Sequence, residues 1–319
     1  MTGTLVSIDA IREAANRIAG VARRTPLLDV SDVAERSLRL KCENLQPIGA
    51  FKVRGAYNMI ARLSAQERAQ GVITYSSGNH GNAVAYAARR LGIPAVIVMP
   101  TTATTVKVEG ARALGAEILF EGTTTLHRKA RAEQEQQARG LVMIPPFDHE
   151  WIIEGQGTAG LEIIDQAPDT GTIAVQIGGG GLIAGVSAAV KALKPGIRVV
   201  GVEPDGAPKM TASRKAGHPV TLEHTASIAD GLLAVRPGEL PFLHAQRFVD
   251  DVVTVSDEAI ARATIWLFER ARLVVEPSGA AAVAAVFEGR VQGPGPIVAM
   301  ISGGNISRES LAALRAGHG

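Results

Sequence analysis

The chain is poor in several features that would place it in a particular class of protein. It has a single cysteine, Cys42, so no disulfide can form within the chain and no cysteine-based zinc motif exists. Its 33 Lys and Arg residues nearly balance 31 Asp and Glu residues, and the formal charge of +2 gives no reason to expect a nucleic-acid partner. No apolar run approaches the roughly 20 residues that a membrane-spanning helix needs.

The start of the chain also lacks a targeting signal. The segment 1–20 carries acidic residues at helical spacing instead of a basic stretch followed by an apolar one. We therefore expect a cytoplasmic protein that binds neither nucleic acid nor membrane. Cys42 lies in RLKCENL, a stretch that is typical of a strand, and we interpret it as a small buried residue and not as a nucleophile.

What the sequence does contain is a regular alternation of apolar runs and amphipathic helices. Continuous runs rich in Val and Ile predict buried parallel strands, at 71–76, 95–99, 116–120, 172–177, 198–203 and 297–301. Helical spacing predicts helices between them, at 80–91, 104–114, 124–138, 182–193, 256–272 and 278–288. This alternation predicts an α/β fold with parallel sheets, and the length of 319 residues predicts about two domains.

Polar loops follow three of the predicted strands. SSGNHG at 76–81, GGGGLIAG at 178–185 and SGGN at 302–305 each come directly after an apolar run. Open parallel sheets place ligands beyond the carboxyl ends of their strands. We therefore expect these three loops to share one cleft.

Four successive glycines, Gly178–Gly181, open the helix in the second of these loops. Glycine lets backbone N–H groups approach an anion closely, and a helix N-terminus adds partial positive charge, so we interpret the loop as a phosphate site. A flexible turn is the plain alternative. Gly179, Gly181 and Ala184, together with Glu203, also match a dinucleotide fingerprint, which keeps an NAD-linked oxidoreductase as an alternative. That fingerprint does not explain SSGNHG or the lysine described next.

Lys52 has an unusual setting for a lysine. It lies between Phe51 and Val53, with Gly49 and Gly55 on either side. Apolar surroundings lower the pKa of a lysine and raise the fraction of neutral, nucleophilic amine, which a lysine that forms a Schiff base requires. If the phosphate belongs to pyridoxal phosphate, Lys52 is that lysine and Phe51 lies against the ring. The alternative is a lysine at a helix start whose stem covers apolar surface.

Six motifs in order resemble one known family. ENLQPIGAFKVRGA, SSGNHG, EGQGT, GGGGL, EPSGAA and SGGN are similar to those of the threonine dehydratase and serine racemase family, which are fold-type II pyridoxal phosphate enzymes. The resemblance implies the tryptophan synthase β-like fold, with two open parallel-sheet α/β domains and the cofactor cleft between them. We expect a discontinuous large domain over 1–62 and 148–319, a small domain over 63–147, and a homodimer.

The resemblance also implies roles around the cofactor, pyridoxal 5'-phosphate. Lys52 would form the Schiff base and act as acid and base on one face of the substrate. The other contacts would come from Phe51 against the ring, Asn79 on the phenolic oxygen, Glu276 beside the cofactor, Ser302 at the pyridine nitrogen, and Gly178, Gly179, Gly180, Gly181 and Leu182 on the phosphate. Because a serine cannot hold a full positive charge on the ring nitrogen, Ser302 favours elimination of a β-leaving group over a long-lived carbanion.

Substrate contacts are implied for the first polar loop. Ser76, Ser77, Asn79 and His80 would gather around the substrate carboxylate, and Ser77 would lie on the face opposite the lysine, where a racemase needs its second acid–base group. The residues alone also allow structural roles. Ser76, Ser77 and Glu276 can be helix caps, and His80 can be a packed side chain at a helix start.

Two departures from the family pattern bear on substrate and metal. Ala50 stands where many relatives have serine, which leaves the exact substrate open. Racemase-type relatives hold a divalent metal with a glutamate, a backbone carbonyl and a following aspartate. Here Glu203 is present, but Lys209 stands at the aspartate position. An ammonium opposes metal binding, so we expect no metal site and predict that Lys209 pairs with Glu203.

The predicted reaction is elimination of water from a β-hydroxy-α-amino acid such as L-threonine or L-serine, which yields a 2-oxo acid and ammonia. One alternative is a serine- or aspartate-type racemase, and another is a dehydratase of hydroxyaspartate or phenylserine. A third is a non-catalytic protein that binds an amino acid or the cofactor. The residues do not choose among these substrates.

Overall fold

The computed structural model of the protein describes residues 4–76, 78–103, 105–123 and 125–317, except for the side chains of residues 106 and 107. The α-helices in this part of the chain are α1 Ile8–Ile18, α2 Ser31–Ala34, α3 Lys52–Ile60, α4 Ala65–Gln70, α5 Asn79–Leu91, α6 Thr105–Ala113, α7 Thr125–Arg139, α8 Glu150–Gln166, α9 Gly181–Leu193, α10 Lys209–Ala216, α11 Glu239–Phe248, α12 Asp257–Glu269, α13 Pro277–Phe287 and α14 Arg308–Ala316. The strands are β1 Leu27–Asp29, β2 Leu38–Cys42, β3 Val72–Tyr75, β4 Ala95–Met99, β5 Glu117–Phe120, β6 Val142–Met143, β7 Thr172–Gln176, β8 Arg198–Pro204, β9 Asp251–Val255 and β10 Ile297–Ile301.

The described strands form two sheets. The larger has the order β1-β2-β10-β7-β8-β9, and the smaller has the order β5-β4-β3-β6. Every pair of neighbours is parallel except β1 and β2, which run antiparallel at one edge. The predicted α/β fold with parallel sheets is therefore confirmed. The exact division into domains at 62/63 and 147/148 stays a prediction.

Helices cover both faces of the larger sheet, because its central strands are apolar on both sides. Ala174 of β7 faces a core shared with α12 and α13, whereas Ile173 and Val175 face a second core shared with α8, α9 and α11. All five residues of β7 are buried. This is the reason that 172–177 appears in the sequence as a continuous apolar run and not as an alternating one.

The six strands predicted from apolar runs, the strand expected at RLKCENL and all six predicted helices are present, and Cys42 lies buried at the end of β2. The strands that were not predicted, β1, β6 and β9, lie at sheet edges and are short or only half-buried, so they leave little apolar signal. One helix boundary also differs. The helix expected over 256–272 ends at Glu269, with Ser256 as its N-cap, and Arg272 adopts a left-handed φ of 58°.

Helix α3 joins the two halves of the molecule. Phe51, its N-cap, packs into a core of the larger sheet, whereas Ala56, Met59 and Ile60 pack into the core of the smaller sheet. Along its length α3 lies against α8 and α5. Lys52 at the start of α3 thus lies where the two cores meet.

Candidate active site

The segment that carries Lys52 is fixed to the loop after β10. The backbone N–H of Phe51 donates to the carbonyl of Ser302 over 3.0 Å, and Ala50 forms a bridge with Gly303. Gly49 has a φ of 72°, and any Cβ there would overlap the amide of Asn305. GAFKVRGA and SGGN therefore meet, and Ser302 lies buried at the point of contact.

The amine of Lys52 lies in an apolar setting. Its Nζ donates to the carbonyl of Pro146 over 2.6 Å and lies 5.1 Å from the centre of the Phe51 ring. Burial lowers the pKa of Lys52 to about 8. A substantial fraction of the amine is therefore neutral near physiological pH, which is the form that attacks a carbonyl.

The glycine loop after β7 is packed from behind at each of its four positions. A Cβ on Gly179 would overlap the ring of Phe147, and one on Gly181 would lie 3.0 Å from Phe147. A Cβ on Gly178 would lie 2.9 Å from the carbonyl of Gly231. Gly180 has a left-handed φ of 96°, which disfavours any side chain. Glycine is required here by the protein's own packing, a reason that the sequence interpretation did not include.

The other side of the same loop has the donors that a phosphate needs. Within the described part of the chain, the backbone N–H groups of Gly178 to Leu182 donate to no protein acceptor. These groups lie at the N-terminus of α9, whose dipole adds partial positive charge. Buried donors without acceptors are rare in folded proteins, so the loop fits a phosphate group.

A chain of side-chain hydrogen bonds crosses the cleft from α5 to α13. Asn79 Nδ2 donates to Glu276 Oε1 over 2.6 Å, and Asn305 Nδ2 donates to Asn79 Oδ1 over 2.7 Å. Glu276 is the N-cap residue of α13 by position, but its side chain does not cap the helix. The Asn79 amide is therefore held in one orientation, with its second N–H left for another acceptor. Asn305 was not assigned a role from the sequence, although it ends the SGGN motif.

His80 is buried and neutral. Its Nε2 lies 3.0 Å from the carbonyl of Ile144, so Nε2 carries the proton, and Nδ1 has no partner among the described residues. Burial, and next the charge of Lys52, lower the pKa of His80 to about 3. Because its single ring N–H is used by Ile144, only the backbone N–H of His80 is left for a substrate anion.

Of the two serines of SSGNHG, the structure describes Ser76. Ser76 is not the helix cap that the sequence allowed, because Gly78 is the N-cap residue of α5. The Oγ of Ser76 instead accepts from the N–H of Gly78 over 3.3 Å. Ser77 lies outside the described residues. Its predicted roles in substrate binding and catalysis stay predictions.

No role was predicted for the crossover segment 144–149, which leads from the smaller sheet to α8. Pro146 supplies the carbonyl that contacts Lys52, and Phe147 packs against the glycine loop. Both oxygens of Asp148 accept from the first N–H groups of α11, at Glu239 and Leu240, over 3.0 Å each. The PPFD run, with two prolines that stiffen the backbone, was the available clue.

The predicted pair of Lys209 and Glu203 is present below the glycine loop. Lys209 Nζ lies 3.3 Å from Glu203 Oε1, and both side chains have no exposed surface. The same ammonium donates to three carbonyls, those of Ile177, Ala207 and Leu232, over 2.7, 3.1 and 2.9 Å. Burial lowers the pKa of Lys209, and Glu203 opposes this in part.

The described residues offer neither a metal site nor a membrane span. They contain no group of three or more His, Cys, Asp or Glu side chains that could hold a metal ion. No helix among them is long and apolar enough to cross a membrane.

Comparison with known proteins identifies relatives of the chain. A family model described as "Pyridoxal-phosphate dependent enzyme" matches residues 18–303. The L-threonine ammonia-lyase of Thermotoga maritima is 42% identical over 306 residues, which are 95% of this chain and 76% of the relative. The biosynthetic L-threonine dehydratase of Pasteurella multocida is 39% identical over 303 residues, which are 93% of this chain and 59% of that longer protein. A solved structure of maize serine racemase superposes with a TM-score of 0.93 at 40% identity, covering 99% of this chain and 98% of that chain.

Proposed function

Because the chain belongs to the family of pyridoxal-phosphate-dependent enzymes, we propose that it is an ammonia-lyase acting on a β-hydroxy-α-amino acid. L-Threonine or L-serine would lose water and yield a 2-oxo acid and ammonia. The observation that carries this proposal is the half-buried side chain of Lys52, with its amine against the carbonyl of Pro146 and its pKa lowered, in a cleft that also has a loop of unpaired backbone N–H groups.

We assign the cofactor contacts to residues whose donors are free. The N–H groups of Gly178 to Leu182 would hold the phosphate, and the second N–H of Asn79 would donate to the phenolic oxygen. Ser302, which lies beside Phe51, would donate to the ring nitrogen without placing a full charge on it. Bound pyridoxal phosphate supplies an electron-withdrawing ring that acidifies the α-C–H of the attached amino acid.

We assign removal of the α-proton of the substrate to Lys52. With a pKa near 8, its neutral Nζ can take the α-proton of the substrate at physiological pH. The ring of Phe51 and the crossover segment at Pro146 enclose the amine and limit the access of water. The substrate carboxylate would be held by the N–H groups of Asn79 and His80 at the start of α5, because the N–H of Ser76 already donates to the carbonyl of Val98 and that of Gly78 donates to Ser76 Oγ. The side chain of His80 remains neutral, and its ring N–H is used by Ile144.

The test is an assay of keto acid and ammonia over a panel of L-threonine, L-serine, hydroxyaspartate and phenylserine. We expect turnover of L-threonine or L-serine with release of ammonia. Turnover of only an acidic or aryl substrate would move the assignment to another dehydratase. Cofactor binding with no turnover of any member of the panel would support the non-catalytic alternative.

A racemase is the second candidate, because maize serine racemase has the same fold at 40% identity. Racemisation needs a second acid–base group opposite Lys52, and we propose Ser77 for it. Ser77→Ala should raise KM for L-serine elimination and abolish any conversion of D-serine. If kcat for L-serine elimination falls as far as the conversion of D-serine does, Ser77 instead acts in the elimination step.

We also propose a two-domain division at 62/63 and 147/148, a homodimer, and a cytoplasmic location. The division is supported by the two separate sheets, since β3 to β6 all fall within 63–147. Light scattering of the purified holoenzyme tests the dimer, and cell fractionation tests the location. Limited proteolysis with cleavage near 62 and 147 would support the division.

A further inference from the structure

A buried group of charged side chains lies directly behind Lys52. We call it the Arg54 cluster, and it consists of Lys41, Glu43, Arg54 and Glu162. The side chains of Lys41 and Glu43 have no exposed surface, Arg54 is 1% exposed and Glu162 is 14% exposed. None of these residues was assigned a role above. Two cations and two anions leave the cluster with no net charge.

Arg54 is the centre of the cluster. Its Nε and Nη2 donate to the two oxygens of Glu43 over 2.7 Å each, and its Nη1 and Nη2 donate to the two oxygens of Glu162 over 2.7 and 2.9 Å. Nη1 also donates to Thr158 Oγ1 over 3.0 Å. One guanidinium thus makes two bidentate contacts, a geometry that a lysine cannot reproduce.

The remaining members complete the hydrogen bonding. Lys41 Nζ donates to Glu162 over 2.5 Å, to Gln166 Oε1 over 2.8 Å and to the carbonyl of Thr25 over 2.8 Å. Thr25 Oγ1 donates to Glu43 over 2.6 Å. Burial acts to raise the pKa of Glu43, but the charges of Arg54 and Lys41 lower it on balance, so Glu43 stays ionised.

Such a cluster is a poor way to gain stability. Removing four charges from water costs several kcal/mol for each ion, and apolar residues of similar volume are often equally stabilising. What the cluster does provide is a fixed geometry. It joins three elements that surround the cleft: Glu43 directly follows β2, Arg54 is in the first turn of α3, and Glu162 is on α8.

The same turn of α3 carries Lys52. The N–H of Arg54 donates to the carbonyl of Phe51 over 3.0 Å, and the N–H of Phe51 donates to Ser302. The guanidinium therefore fixes the turn from one side while the SGGN loop fixes it from the other. Burial lowers the pKa of Lys52, and the charges of the neighbouring Arg54 cluster cancel one another.

We propose that Arg54 is a positioning residue for Lys52: its two bidentate carboxylate contacts fix the first turn of α3 and so the direction of the Lys52 amine. This rests on the proposed function only in taking Lys52 as the cofactor-binding lysine. The cluster sets where Nζ points and adds no net charge beside it. A substitution that keeps the positive charge at position 54 but loses the two bidentate contacts should therefore change the position of the Lys52 amine.

The experiment compares Arg54→Lys with Arg62→Met in the holoenzyme. Arg62 lies two residues past the end of α3 and pairs with Glu154 of α8 at a partly exposed site outside the cluster. Its loss therefore weakens a contact between the α3 segment and α8 without touching Arg54. Four quantities are measured: the pH midpoint of the Schiff-base absorbance, the urea midpoint of unfolding, kcat and KM. Glu43→Gln, which keeps Arg54 and its contacts with Glu162, is the second variant.

For Arg54→Lys we expect a shifted absorbance midpoint, kcat lowered by about tenfold or more, and KM within about threefold of wild type. Glu43→Gln should move the absorbance midpoint in the same assay, and Arg62→Met should leave it unchanged. The proposal is overturned if Arg54→Lys lowers only the urea midpoint and keeps the wild-type absorbance midpoint and kcat. If Arg54→Lys does not fold, a wild-type absorbance midpoint in Glu43→Gln overturns it.

The absorbance readout also separates this proposal from the proposed function. It requires only that the cofactor is bound to Lys52 and not that any substrate is turned over. If the wild type eliminates water from no substrate, the proposed function fails, and the absorbance midpoints still decide the role of Arg54.

Discussion

The buried ammonium of Lys209 allows a prediction with a magnitude. Lys209→Met keeps the length of the side chain but removes the charge that lies 3.3 Å from Glu203 and donates to three carbonyls. Removing one partner of a buried ion pair costs about 3–5 kcal/mol. Glu203 keeps three donors, from the N–H of Met210 and from the N–H and hydroxyl of Thr211, so we expect the free energy of unfolding to fall by about 3 kcal/mol.

Urea unfolding followed by tryptophan fluorescence measures this loss. Lys215→Met is the matched control, because Lys215 lies exposed on the same helix, α10, and its removal should change the free energy of unfolding by less than about 0.5 kcal/mol. In Lys209→Ala, which leaves space in the oxygen-lined cavity, added ammonium chloride should restore part of the stability. Equal stability of Lys209→Met and Lys215→Met would refute the argument.

The position of Lys209 also predicts how the wild-type protein responds to divalent metal. Because an ammonium already occupies the position between Glu203 and the carbonyl of Ala207, EDTA should leave activity and melting temperature unchanged. Added magnesium should raise neither. A magnesium-dependent rise in activity that a chelator reverses would show that Lys209 does not replace a metal.

Four residues in the cleft allow further tests. Burial lowers the pKa of Lys52 from the ordinary value of 10.5 to about 8, so between these two pH values the folded, cofactor-free chain binds fewer protons than the unfolded chain. The free energy of unfolding of the wild type, relative to that of Lys52→Met, should therefore rise with pH across this window. A difference that stays constant with pH in urea titrations would contradict the lowered pKa. Burial likewise lowers the pKa of His80 to about 3 from 6.5, so stability relative to His80→Gln should fall as the pH drops through that range, and a constant difference would mean that His80 titrates normally. Gly180→Val forces a β-branched residue to a φ of 96°, at a cost of about 1–3 kcal/mol, and should weaken cofactor binding in equilibrium dialysis; a folded variant with wild-type affinity would argue against the loop as the phosphate site. Ser302→Asp should slow elimination relative to exchange of the α-proton in heavy water, followed by NMR, and equal slowing of both would rule out control by the ring nitrogen.

The parts of the fold that could be predicted were those with a periodic apolar signal. The run 172–177 is buried on both faces, so most of its residues are apolar, and its identification as a buried strand was correct. The cleft could be expected because polar loops such as SSGNHG and SGGN follow strands whose carboxyl ends must share an edge. The edge strand β9, with four half-buried residues, gives no such signal and was missed.

Contacts between distant segments could not be predicted, because nothing in the residues themselves marks the partner. The acceptor for Lys52 is a backbone carbonyl, at Pro146, and any residue type supplies one. Phe147 fits against Gly179 only because the crossover segment passes behind the glycine loop. Lys41 and Glu43 are of residue types that usually lie at the solvated surface, and only the fold shows that both are buried in the cluster around Arg54.

The packing behind the glycine loop has a consequence for the evolution of the chain. Phe147, Pro241 and the carbonyl of Gly231 take up the space that side chains at 178–181 would need. A descendant that had lost the cofactor would therefore still be held to four glycines by its own fold, and a glycine run in a distant homologue would not by itself reveal an active enzyme. Lys52 has no such second constraint, since its neighbours would accept an apolar side chain. Loss of the lysine beside an intact glycine loop is thus the mark by which a non-catalytic descendant would be recognised.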